Sequence, residues 1–449
     1  MGETSGQANE TDTGAGGPSG GDSRTLRRRL ISLALLAAAT GCYVGVVAIR
    51  LGPPAGGDTA PLTAVTSALA DGDLRVAASV TSLPNPPGYP LLVAPFVAAF
   101  PSAVGSPIWC TPAGRIAGSR HGAAAGVPVC GMRTVAVGGG TIPSLPPWYR
   151  AQGVLGVASW LALALGASAL LRAGGSASPA REAGLLGFLA FLPAASSAIV
   201  QLYHPQDIVS LGLALGGLSQ ILRRRWILAG TLFGAAVLSK QFALLVLVPA
   251  LVVTPGRRPR LTTAVSAAVV FGAGVLPFLV VDPRATLENL SGFSAGGAAT
   301  GQTVLSLMGV HGTVASAVAR DAPMLFAIAV CIWAASRRLP WVDDPAVVVA
   351  LALVCTGSRL VFESVIFPYY LLAASVLVLL LDLVARRWPV RSLAWCAATA
   401  FFVALHPRNE FVAAFGTLVL AITVVAIGAF DVARFVRSTS TTRLEAAVP

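Results

Sequence analysis

Charge is what this sequence lacks most. Only 11% of its 449 residues are Asp, Glu, Lys or Arg, against 55% hydrophobic. Soluble domains carry about 25% charged residues, so water is not the main solvent for this chain's surface. A large water-soluble core is excluded on that ground. The 6 cysteines show none of the Cys/His spacings of a structural zinc site. A Gly-rich phosphate loop and a dinucleotide fingerprint are missing too. Glycine runs such as Gly138-Gly139-Gly140 lack the strand-then-helix context that gives such motifs meaning.

What is present is a succession of apolar runs, many long enough or nearly long enough to cross roughly 30 Å of hydrocarbon. The net charge of +12 sits mostly in short clusters directly after those runs, where cytoplasmic loops carry Lys and Arg. No nucleic-acid recognition module interrupts them. Residues 1–25 have no apolar periodicity and read as a disordered cytoplasmic tail. Arg27, Arg28 and Arg29 precede Leu30 to Ile49, which is too long for a signal core and has no small-residue cleavage site. It reads as the first span.

Further Arg clusters assign the cytoplasmic loops. They are Arg172 with Arg181, Arg223 to Arg225, Arg257, Arg258 and Arg260, then Arg337 with Arg338, Arg386, Arg387 and Arg391, and Arg434 with Arg437. The chain must leave and return between them. That predicts an all-α, polytopic fold of about 12 transmembrane helices over residues 26–435, a cytoplasmic tail at 436–449, and both termini inside. Two short helices meeting at Ser239-Lys240-Gln241 keep both flanking basic clusters on one side; a single tilted span from Trp226 to Val253 would not. Residues 51–149 read as one large external region, with surface helices near 61–71 and 89–100 and an unusual Gly-rich stretch at 106–147. Cys110 and Cys130 fall in that stretch. They either close a disulfide in an oxidising compartment or stay two free thiols.

With sides assigned, the unusual polar residues map to the external side. Asp58 follows the first span, and Asp71 and Asp73 lie a little further on. His204 and Asp207 sit at an outer turn, Lys240 and Gln241 at the apex of the short hairpin. Arg359, Glu363 and Tyr369-Tyr370 lie between two late spans. Ionisable groups at membrane depth usually mark a substrate or ion path. The structural alternative is that Lys240 or Arg359 snorkels to the interface, or pairs with Asp207 or Glu363. As a set they suit a phosphate-bearing lipid: a cation holds the phosphate and a nearby carboxylate takes a proton from an attacking hydroxyl.

These residues resemble the GT-C superfamily of integral-membrane glycosyltransferases, closest to the actinobacterial polyprenyl-phosphate-mannose-dependent (PimE-like) alpha-mannosyltransferases. The likeness rests on Gly57-Asp58, on Asp71-Gly72-Asp73, and on Asn85-Pro86-Pro87-Gly88-Tyr89-Pro90 in the early loop. It continues in His204-Pro205-Gln206-Asp207, Ser239-Lys240-Gln241, Arg359 and Tyr369-Tyr370. The resemblance implies a GT-C-like fold with surface helices in the first external loop, and Asp58 as general base, with Asp71 and Asp73 as rivals. It implies Lys240 and Arg359 on the donor phosphate. His204, Asp207, Gln241, Glu363, Tyr369 and Tyr370 would then shape the donor and acceptor site. The implied partners are a polyprenyl-phosphate sugar, mannose favoured and arabinose the other candidate, and a glycolipid or glycan acceptor. No cofactor is expected; Asp58 with Asp207 is the one pair suited to a divalent metal. The implied setting is the plasma membrane, multi-pass, with an extracytoplasmic active site and a functional monomer.

The competing function is a multi-span lipid or solute transporter or flippase. It fits less well, because no duplication relates the two halves of the chain and the polar residues gather on one side. The side assignment is testable. A cysteine placed at position 58 is expected to react with a membrane-impermeant thiol reagent in intact cells, and one at position 258 to stay silent. Labelling at 258 alone would reverse the topology.

Overall fold

The structure is a computed structural model that describes residues 21–50, 59–79, 86–99, 108–111, 129–132, 134–137, 140–143, 146–200, 203–291, 303–336, 344–364, 366–405 and 410–446. Backbone groups in lipid must be satisfied within their own segment, and the apolar runs accordingly become helices. The first helix, α1 (Gly21–Arg50), leads into α2 (Thr59–Ala70), α3 (Leu74–Ser79) and α4 (Gly88–Ala99). The next stretch holds β1 (Ile108–Thr111), β2 (Val129–Met132), β3 (Thr134–Val137) and β4 (Gly140–Pro143), paired as two antiparallel hairpins. These four short strands are the exception among the described residues to the all-α fold that was expected. Register sets Cys110 opposite Cys130; directly opposed antiparallel residues have Cα atoms about 4.5–5.5 Å apart, within the span of a disulfide.

The remaining chain is helical: α5 (Pro146–Ala173), α6 (Pro179–Phe191), α7 (Pro193–Val200), α8 (Pro205–Leu222), α9 (Trp226–Ser239), α10 (Leu244–Val253) and α11 (Arg257–Val281). Then follow α12 (Pro283–Ser291), α13 (Val304–Leu307), α14 (Gly312–Ser336), α15 (Pro345–Phe362), α16 (Leu371–Val384), α17 (Val390–Leu405) and α18 (Glu410–Ala446). Among the described residues, 7 helices are long and apolar enough to cross a membrane. About twelve were expected. The other expected spans fall on apolar helices of 10–17 residues, such as Trp226–Ser239 and Pro368–Val384, and on α8. At 1.5 Å per residue, ten to seventeen residues cover roughly 15–26 Å, short of a bilayer core. The segment set off as a tail from 436 begins as a continuation of α18, which runs to Ala446.

The centre of the bundle is α15, 83% of whose membrane window is buried, against 17% for α1 and for α11. Helices in lipid associate through small residues that let backbones approach, and that is how this core is built. A Cβ on Gly166 of α5 would stand 2.1 Å from the carbonyl oxygen of Gly212 on α8. Gly230 and Gly234 of α9 abut Thr263 and Ala267 of α11, and Gly274 of α11 meets Leu238 at the far end of α9. These contacts make α9 and α11 parallel. The chain must therefore turn back through α10, so α9 and α10 form a hairpin with Lys240 at its apex.

The two ends of the bundle differ in chemistry. At one end Ser176 of the α5–α6 turn donates to the Val384 carbonyl oxygen at 2.9 Å, and Arg386 donates to the Gly175 oxygen at 3.2 Å. The same end holds Arg387 against Asp431 at 2.7 Å, Arg391 against Asp431 at 3.0 Å and Ser392 Oγ donating to Asp382 at 2.6 Å. Asp382 and Asp431 are fully buried. Arginines that read as loop charges thus neutralise carboxylates inside α16 and α18, a pairing invisible to hydropathy. The opposite end carries His204, Asp207, Lys240 and Arg359.

Because overpacking a tight interface costs roughly 1–3 kcal/mol or more, Gly212→Val is expected to lower the thermal unfolding midpoint of the detergent-solubilised protein. Gly187→Ala, at a position where a Cβ meets nothing within 4 Å, should leave it unchanged or raise it.

Candidate functional site

The site starts where α8 starts. Pro205 opens the helix, since proline at the first position gives up only an N–H that would be unpaired anyway. Tyr203 just before it adopts φ 54°, a left-handed conformation that a bulky residue rarely holds. This sharp turn directs His204 and Asp207 into the bundle. Asp207 Oδ2 stands 3.4 Å from His204 Nδ1 and 3.6 Å from Lys240 Nζ. Gln206 Nε2 lies 3.1 Å from the same His204 nitrogen. The Gln206 Oε1 and Asp207 Oδ2 atoms are buried and have no hydrogen-bond partner among the described residues.

Lys240 is the single lysine among 31 basic residues. It ends α9 by taking an extended conformation, φ −160° and ψ 131°. Ser210 of α8 secures the turn, donating to the Ala236 carbonyl oxygen at 2.9 Å and reaching the Lys240 oxygen at 3.4 Å. From the segment before β1, α4 presses on the same turn: a Cβ on Gly88 would lie 2.5 Å from the Leu238 carbonyl group. Only glycine permits that approach. The next residue, Tyr89, brings its hydroxyl to 3.3 Å from that of Tyr203.

The third wall comes from the end of α15 and the turn into α16. Arg359 Nε donates to Glu363 Oε2 at 2.7 Å. Its guanidinium lies over the Tyr370 ring at 4.3 Å from the centroid and over Phe242 at 5.6 Å. Tyr369 stacks on His204 with ring centroids 4.1 Å apart. Asp207, Lys240, Arg359 and Glu363 lie within electrostatic range of one another, and none is more than 7% exposed. Burial pushes the Glu363 carboxyl above the usual range, against the pull of the Arg359 guanidinium. Two cations and two carboxylates balance, an arrangement too costly in an apolar bundle to be incidental.

Two spaces adjoin the cluster. A narrow cavity of about 30 Å³ is bounded by Leu62, Tyr89, Gln206, Ser239 and Asn289. A larger cleft of about 480 Å³ runs beside α14, with Leu244, Leu245, Met324 and Leu325 as apolar walls and Arg359 and Gln241 also on its lining. Arg320 and Asp321 at this cleft pair with each other at 2.8 Å. No group of three or more His, Cys, Asp or Glu side chains converges among the described residues.

The structure brings together His204, Asp207, Lys240, Arg359, Glu363, Tyr369 and Tyr370, and sets Gln241 beside them in the cleft, where its Nε2 donates to the Leu290 carbonyl oxygen at 3.4 Å. Two of the three base candidates are described. Asp73 caps α3, accepting from the Val76 N–H at 3.0 Å, and Asp71 is exposed in the preceding turn; no contact joins either to the cluster among the described residues. Asp58 lies outside the described residues. The helix that begins one residue later, α2, contributes Leu62 to the cavity shared with Gln206. Sequence reasoning missed Gln206 and Phe242 as parts of the site. Gln206 had a signal, lying between two residues already chosen; Phe242 had none.

The fold and site define a multi-pass membrane protein with a charged cluster buried at one end of its helix bundle. Residues 140–362 match the model of glycosyltransferase family 87, so a glycosyltransferase domain of the GT-C superfamily is present. The match takes in His204, Asp207, Lys240 and Arg359 and stops just before Glu363. No curated protein and no solved structure matches the chain.

Breaking a buried ion pair by removing one partner costs about 3–5 kcal/mol, whereas replacing both with apolar residues is often neutral. Glu363→Gln is therefore expected to destabilise the detergent-solubilised protein by that order. The double change Arg359→Met with Glu363→Met should recover most of the loss, as measured by thermal unfolding.

Proposed function

We propose that this protein transfers a sugar, mannose favoured and arabinose the other candidate, from a polyprenyl-phosphate donor to a glycolipid or glycan acceptor at the outer face of the membrane. The observation that carries the reading is the cleft beside α14, an apolar trough lined by Arg359 and by Gln241, the chain neighbour of Lys240. A polyprenyl phosphate has the matching shape: an isoprenoid chain joined to one anionic group. The glycosyltransferase family 87 match over residues 140–362 supports sugar transfer in place of transport.

The chemistry is a single inverting displacement. Asp58 accepts the proton of the acceptor hydroxyl as its oxygen attacks the anomeric carbon, and the bond from that carbon to the donor phosphate oxygen breaks. The donor phosphate is a diester with one negative charge and leaves as a monoester that gains a second. Lys240 and Arg359 therefore interact more strongly with the departing group than with the bound donor, which is the condition for lowering a barrier. Asp207 and Glu363 hold the two cations in place before the donor arrives. The Tyr369 ring stacked on His204, with the Gln206 amide beside it, forms a wall suited to sugar hydroxyls.

Asp58→Asn is expected to abolish transfer from a purified polyprenyl-phosphate sugar while the protein stays folded; full activity in that variant sinks the proposed base. Losing one preorganised cation costs roughly 10²–10³ in rate, so Lys240→Ala should fall into that range. As the single lysine, Lys240 also permits a direct binding measurement. An amine-reactive reagent, followed by peptide mapping, should modify it in the free enzyme and not in the presence of polyprenyl phosphate.

A further inference from the structure

At the end of the bundle remote from Lys240, the start of α1 meets the turn between α5 and α6. A cavity of about 700 Å³ opens there, within the range of small-molecule sites, about 300–1,000 Å³. Its upper part is formed by Arg28, Arg29, Arg172 and Ser178, and its lower part by Leu36, Leu165 and Leu186. Glu182 supplies the one carboxylate of the lining, and it is already committed. Arg172 donates to it from α5, and Ser32 Oγ of α1 donates to it at 2.7 Å. Arg28 and Arg29 are exposed and have no carboxylate partner among the described residues. Two cations without a carboxylate partner among the described residues thus stand over an apolar floor, inside a cavity flanked by α1, α5 and the run Pro179–Val200 formed by α6 and α7, each long and apolar enough to span a membrane.

We propose that this cavity binds the headgroup of an anionic phospholipid, with its glycerol and upper acyl chain against Leu36, Leu165 and Leu186. Charge and polarity select this occupant. An uncharged lipid leaves Arg28 and Arg29 unmatched. A nucleotide has no ring to stack on, because no aromatic side chain lines the cavity. Basic pockets between spanning helices are the usual seat of anionic headgroups. The lipid also supplies something the protein lacks: α1 has 17% of its membrane window buried, against 56% for α5, so a lipid held by residues of α1, α5 and α6 fastens a loosely packed helix. The site is independent of the transfer reaction.

The test uses the full-length protein in phosphatidylcholine nanodiscs with and without phosphatidylglycerol, and in phosphatidylcholine with inorganic phosphate in the buffer. Lipid retention is read by native mass spectrometry and stability by thermal unfolding. Phosphatidylglycerol should be retained and should raise the unfolding midpoint of the unaltered protein. Two basic side chains at a lipid surface account for roughly thirtyfold in affinity, and Arg28→Ala with Arg29→Ala should lose about that much retention. Arg223→Ala with Arg225→Ala removes the same charge from the exposed α8–α9 turn and should lose none. Leu165→Trp fills the apolar floor without altering charge and should also expel the lipid. Equal loss in the Arg223/Arg225 variant, unchanged retention in either cavity variant, or a midpoint shift reproduced by inorganic phosphate alone would each overturn the assignment.

Discussion

Everything at the candidate site depends on one buried ion pair. Lys240 Nζ stops 3.6 Å from Asp207, near enough for the charges to offset one another in an apolar bundle and too far for a hydrogen bond. The carboxylate offsets the lysine's charge at the turn between α9 and α10. Arg359, already bonded to Glu363 and laid over Tyr370, gives the same wall a second cation of fixed orientation. The pair differ as lysine and arginine do: one is a mobile point charge, the other a planar group held by stacking.

The backbone around Lys240 explains why the cation sits at this depth. A hairpin of two short helices carries it to the end of the bundle opposite Arg225 and Arg257. Small residues make that hairpin possible, because Gly230 and Gly234 let α9 lie directly on α11 and Gly88 lets α4 close over the apex. Short helices that a bilayer would not accept alone are accommodated where protein surrounds them. The short helices α2 to α4 are therefore joined mechanically to the turn that presents Lys240, and Asp58 lies in the chain leading into them.

The opposite end of the bundle follows a different rule. Its arginines neutralise Glu182, Asp382 and Asp431 and tie α5, α6, α16, α17 and α18 together, while Arg28 and Arg29 are left over the cavity beside α1. Charge at that end has a structural use and a surplus. At the Lys240 end the charges balance, and the spaces beside them are where chemistry belongs. The proposed lipid-linked donor would give this asymmetry a sense, since such a substrate presents its polar group at one face of the membrane only.

By itself the sequence determined the membrane class, the positions of most helices, the turn at Lys240, and the set of polar residues from His204 to Tyr370. Those features are local: a run of apolar residues, a basic cluster after it, a lone cation within it. Tertiary structure decided where the apolar runs break into helices, so that seven of them among the described residues reach the length and hydropathy of a span. It also decided partners. Nothing in the sequence links Arg391 to Asp382 or Arg387 to Asp431, makes Asp73 a helix cap, or lays Phe242 beneath Arg359. Those depend on which helix faces lie together, and that is settled by close backbone contacts such as Gly166 with Gly212, between residues far apart in the chain.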